Sequence, residues 1–89
     1  MFRLWGKIMK RNHIVSSKVF EIDHADLSFD AKMEQALDAL CYHFDIQRPM
    51  WFEENRHHLT LTGKTEFKNR HFIESIDFDS FVIELIENE

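Results

Sequence analysis

The chain has 89 residues, enough for one domain and too few for two. Its apolar fraction of 44%, with nine Phe and two Trp, supplies a bulky core, while two Gly and one Pro exclude a disordered or loop-dominated chain. A single cysteine excludes an internal disulfide, and a net charge of −5 speaks against a general nucleic-acid binder. No apolar run reaches the length of a membrane span. Arg3 and Lys7 interrupt the N-terminal apolar residues where a signal peptide would be continuous, so the expected compartment is the cytoplasm.

Phe2, Leu4 and Ile8 alternate with Arg3, Trp5 and Lys7, the period-2 pattern of a half-buried strand. Lys10 to His13 is polar, and Asn12 tolerates a positive φ, so a tight turn is expected there. Ile14, Val15, Val19, Phe20 and Ile22 then form a second strand, with a bulge expected near Ser16-Ser17 where the alternation fails. A polar connection follows. Phe29, Met33, Leu37, Leu40, Cys41 and Phe44 recur at spacings of three and four, which predicts a helix over residues 29–44. Ser28 is its expected N-cap, Asp30 suits its positive end, and Lys32, Glu34, Gln35 and Asp38 fall off the apolar stripe.

Pro49 closes that helix region, and Met50-Trp51-Phe52 reads as a short strand. Residues 55–62 read as a short helix capped by Asn55 and ended by Gly63, although Leu59 to Thr62 also alternates like a strand. Thr65-Glu66-Phe67 is extended, Asn69-Arg70-His71 is a turn, and Ser80 to Glu87 is a strand with Phe81, Ile83 and Leu85 on one face. The expected fold is α+β: a small, largely antiparallel sheet built from the N-terminal hairpin and the C-terminal strand, packed against one amphipathic helix, with a short second helix. All 89 residues form a single domain.

Charge is segregated along the chain. Residues 1–20 carry Arg3, Lys7, Lys10, Arg11 and Lys18 with no acid, whereas residues 72–89 carry six acids and no base. Two explanations compete: a basic surface for nucleic acid, with Trp5 and Phe2 as stacking platforms, or two termini that neighbour each other in one sheet. The second is favoured, and nucleic acid is not the expected partner.

No catalytic constellation emerges from spacing. Cys41 lies on the apolar stripe and reads as a small hydrophobe, and Cys41 and His43 diverge at i,i+2 on a helix. The serines lack a nucleophile elbow, two glycines cannot form a phosphate-binding loop, and Asp77-Phe78-Asp79 reads as a solvated turn. Histidine is the exception, with six in the chain. On a helix, Glu53 and His57, and Glu54 and His58, would pair at i,i+4. With His71 these residues form the candidate metal set. The two pairs point about 100° apart, so spacing alone does not make them converge. No metal or other cofactor is expected.

The stretches Phe2 to Ile8, Leu40-Cys41-Tyr42 through Pro49-Met50-Trp51, and Lys64 to Asp79 with the final strand resemble a small family of uncharacterised proteins from Gram-positive anaerobic bacteria. The resemblance spans nearly the whole chain and implies a stand-alone bacterial protein. It supplies no activity and no site residue.

The expected function is therefore a non-enzymatic binding or protein-interaction domain, with Trp5, Arg48 and Trp51 as candidate binding residues and a protein partner or a homodimer as the expected association. The alternative is a small metal-binding or histidine-dependent enzyme using Glu53, His57, His58 and His71. A third reading is nucleic-acid binding through the basic hairpin.

Overall fold

The computed structural model describes residues 1–88. Four strands form one antiparallel sheet: β1 (Phe2–Lys10), β2 (His13–Ile22), β3 (Lys64–Phe67) and β4 (Ser80–Asn88), in the spatial order β2-β1-β4-β3. Helix α1 (Phe29–Phe44) covers one face, and α2 (Glu53–Thr62) precedes β3. A 3-10 turn at Asn69–His71 joins β3 to the loop before β4. The C-terminal strand expected over Ser80 to Glu87 is thus central, inserted between β1 and β3.

The hairpin forms because Arg11 (φ 54°) and Asn12 (φ 65°) both take left-handed backbone, the geometry a two-residue turn needs to match strand twist. Asp79 secures it, accepting the Arg11 N–H at 2.7 Å and donating its own N–H to Met9 C=O at 2.8 Å. The Asp77–Asp79 acids are therefore not simply solvated: Asp79 clamps the turn. The register slips between Ile8 and Met9, leaving Val15 as the extra residue, one position before the expected bulge. A second slip between Arg3 and Leu4 makes Ile86 the extra residue of β4.

Phe2, Leu4, Gly6 and Ile8 of β1 face α1, and Arg3, Trp5 and Lys7 face away from it. Gly6 marks the closest approach of sheet and helix. A Cβ there would lie 3.1 Å from Leu40, 3.2 Å from Phe44 and 3.2 Å from Phe81. The core joins Phe2, Leu4, Phe67, Phe81 and Ile83 of the sheet to Leu37 and Leu40 of the helix.

Helix α1 has the predicted bounds and cap: Ser28 Oγ accepts the Ala31 N–H at 3.1 Å, and Asp45 ends the helix in left-handed backbone at φ 56°. Two positions differ from the periodicity, one off the expected apolar stripe and one on it. Lys32 is buried along its length, since an aliphatic stem packs as readily as leucine, and Phe29 at the helix start is exposed.

Residues 50–52 are not a strand. The Met50 N–H donates to His71 C=O at 2.7 Å, and the Phe52 N–H is captured by Asn55 Oδ1 at 2.9 Å, so neither is left for a ladder. Asn55 is consequently not the N-cap of α2 but a residue of its first turn, reaching back to close the helix start two residues earlier than expected. Gly63, at φ 74°, ends the helix as predicted, donating to Leu59 C=O at 2.9 Å.

Candidate functional site

The charge segregation resolves inside the sheet. Arg3 contacts Glu21 on β2 at 3.1 Å and Glu87 on β4 at 3.2 Å, and Lys7 donates to Glu84 on β4 at 3.0 Å while lying 4.1 Å from the Trp5 ring centroid. Two of the five basic residues of the first twenty are thereby engaged by carboxylates of neighbouring strands. This removes them as a continuous phosphate-binding stripe, because phosphates would have to displace acids already in place.

The three candidate binding residues do not form one surface. Trp5 lies on the sheet face away from α1, between Val19 of β2 and Glu84 of β4. Trp51 lies on the opposite side, its ring edge-on to Phe67 at 5.2 Å. Arg48 ties its segment to α1, donating to Asp38 at 2.6 Å and to Glu34 at 3.0 Å. Trp51 does line a groove of about 290 Å³ between the helices, with Phe29, Met33, Leu59, Arg56 and Glu34.

The candidate metal residues separate as well. His57 and His58 are exposed on α2 with ring centroids 6.3 Å apart, and Glu53 is exposed at the helix start. His71 is 1% exposed, stacked 4.4 Å from Phe52 and edge-on to Phe67. Its Nδ1 accepts the Lys68 N–H at 3.0 Å. A backbone N–H can only donate, so Nδ1 holds a lone pair and Nε2 carries the proton. In that tautomer neither nitrogen offers a free lone pair to a metal or a substrate proton. Among the described residues, no group of three or more His, Cys, Asp and Glu is placed to hold a metal ion.

Among the described residues, His71 Nε2–H is buried without a hydrogen-bond partner; it lies 4.0 Å from Glu54, which is itself paired with Arg70. A small polar cavity of about 160 Å³ opens here, lined by Glu54, His58, Glu66, Lys68, Arg70 and His71. Its volume and polar walls suit ordered water bridging the ring to the carboxylate. Burial, followed by the nearby Arg70 charge, pushes the imidazole pKa below its ordinary value, which keeps the ring neutral. Cys41 is equally quiet: burial pushes its thiol up to about 11, far from the range of a nucleophilic cysteine.

Among the described residues, the longest continuous run of exposed positions falls at the hairpin turn and along β2. That strand is an edge of the sheet, and its residues 13–19 are all exposed. Ile14, Val15 and Val19 are 50%, 58% and 37% exposed, so β-branched apolar side chains are concentrated on the one long unpaired edge. The other edge, β3, has only four residues and follows directly on α2. Composition pointed to Trp and Arg as binding residues. The apolar residues of β2 were visible in the sequence, but their place at a sheet edge was not.

These features define a small α+β domain with three exposed β-branched apolar side chains on one edge strand of its sheet. Comparison with protein-family models, curated proteins and solved structures found no match to the chain. Among the described residues, no helix is long and apolar enough to cross a membrane.

Proposed function

We propose that this chain is a non-enzymatic interaction domain that works through the outer edge of β2 and the adjoining sheet face around Trp5. The observation that carries this reading is the exposure of Ile14, Val15 and Val19 on a strand whose outer edge pairs with no other strand among the described residues. An unpaired edge offers a partner a row of backbone donors and acceptors, and alternate apolar side chains add affinity and register. The enzymatic alternative gains no such support, because His71 is locked by Lys68 and Cys41 by burial.

The test is affinity purification from cell extract with the parent chain and with Val19→Lys as bait. Val19 lies on the uncovered face, so the variant is expected to fold with an unchanged far-ultraviolet spectrum. The parent retains one or more specific partners that the variant loses. A folded Val19→Lys protein that keeps every partner overturns the assignment of this edge.

A further inference from the structure

We infer that the partner of the β2 edge is a second copy of this chain, paired antiparallel with it about a two-fold axis through Ser17. The inference rests on the interaction reading above and adds the identity of the partner and the register.

An antiparallel two-fold requires the strand to be complementary to its own reverse. About Ser17, the exposed segment of β2 meets that condition. The residues two places away are Val15 and Val19, those three away are Ile14 and Phe20, and those four away are His13 and Glu21. On the face away from α1 an exposed apolar residue therefore meets the partner's Val19 on both flanks of a small polar centre, Ser16 faces Lys18, and Phe20, which pairs with Leu4 on the core side, takes no part. The Val15 bulge lets either Ile14 or Val15 take the place opposite the partner's Val19, and both are exposed and β-branched.

The charges agree with the same register. The hairpin turn carries Lys10, Arg11 and His13, and the other end of β2 carries Glu21 and Asp23. Pairing about Ser17 lays each basic turn beside the acidic end of the partner strand, twice per dimer. Among the described side chains, Lys10 and Arg11 make no ion pair within the chain, so their charge is available for this.

Competing registers are worse. Centring on Lys18 sets two ammonium groups directly opposite each other, which destabilises a cross-strand pair. Centring on Val19 leaves Ile14 and Val15 beyond the ladder, opposite residues 23 and 24 of the connection. Lys18 and the bulge are devices that guard an edge against indiscriminate pairing. Here they disfavour the registers centred on Lys18 and Val19 and leave the one centred on Ser17 open. A dimer of this kind would extend the sheet from four strands to eight, with the two exposed edges consumed in each other.

Light scattering on the parent chain, run across a concentration series, should give the dimer mass, and Val19→Lys should weaken the dimer at least tenfold (about 1.4 kcal/mol). The register is tested by Ser17→Cys. A two-fold through residue 17 places these sulfurs across from each other within disulfide reach, so mild oxidation should give a covalent dimer in high yield, while Val19→Cys should crosslink poorly. Buried Cys41 leaves the parent as an uncrosslinked control. If Val19→Lys fails to fold, the pair of cysteine variants decides alone. A parent that stays monomeric at high concentration, or efficient crosslinking at 19 but not at 17, overturns the inference. A monomeric parent whose folded Val19→Lys variant still loses other partners leaves the broader interaction reading standing.

Discussion

The backbone N–H of Lys68 donates to Nδ1 of His71 at 3.0 Å, and that bond decides which ring nitrogen carries the proton. His71 in turn accepts the Met50 N–H at its own carbonyl, so one buried residue joins the 3-10 turn to the segment entering α2. Protonating the ring would place its second N–H hydrogen on Nδ1, against a donor that cannot turn away.

The pH dependence follows in sign. Burial and Arg70 lower the folded-state pKa of His71 below 6.5, so the unfolded chain binds the proton more readily. The stability from the neutral ring is full above pH 6.5 and is lost as the pH falls from there through the folded-state pKa. Thermal unfolding between roughly pH 7.5 and 5 should show this as a falling midpoint. His71→Asn, which keeps an acceptor for the Lys68 N–H, should be less stable near neutrality but flatter with pH. Equal slopes for both proteins would show that His71 is not the sensor.

Asn55 should be among the costliest polar residues to lose. It is 1% exposed, its Oδ1 accepts the Phe52 N–H, and its Nδ2 donates to Thr65 Oγ1 at 2.9 Å and Glu66 C=O at 3.0 Å. Asn55→Ala strands groups on both α2 and β3, at about 1–3 kcal/mol for each that stays buried and unpaired. Urea denaturation should show a loss of at least about 2 kcal/mol.

Gly6→Val should destabilise by about 1–3 kcal/mol, because the new side chain enters a packed gap rather than open space. The Cβ alone would stand 3.1–3.2 Å from Leu40, Phe44 and Phe81. A midpoint in urea equal to the parent's would mean that α1 sits farther from the sheet.

Arg48→Met should cost no more than about 1 kcal/mol, with the difference shrinking in high salt. Its partners Glu34 and Asp38 are largely solvated, and exposed ion pairs contribute little. The same variant should leave dimerisation intact, since Arg48 lies on α1's side of the molecule and away from the β2 edge.

Cys41 should resist thiol reagents at pH 8 in the folded protein and react fully in denaturant. Its thiol is buried and raised to about 11, so labelling reports opening of the core rather than direct attack. Fast labelling of the native chain would contradict the packing of α1.

What was legible in the sequence was local. The bounds of α1, its Ser28 cap and the alternation of β1 follow from the helical and strand periods, from one hydroxyl ahead of an apolar run and from steric preferences within a few residues. The basic first strand and acidic last strand also read correctly as neighbours, because opposite charges were the only long-range signal the chain displayed. Met50-Trp51-Phe52 read wrongly because its fate depends on Asn55 and His71, whose hydrogen bonds remove it from any ladder.

The candidate site was less legible. Residue type marked Trp5, Arg48 and Trp51, yet whether a tryptophan faces Phe67 or solvent is set by packing between segments far apart in the chain. The sequence by itself determined β1, β2, α1 and β4 and most of their apolar positions. Only the tertiary structure decided that β4 lies inside the sheet and β2 at its edge. Strand order depends on which apolar faces close over one another, and local periodicity carries no record of that. The exposed valines of β2 have the pattern of an interior strand, and only the missing neighbour turns that pattern into a surface for association.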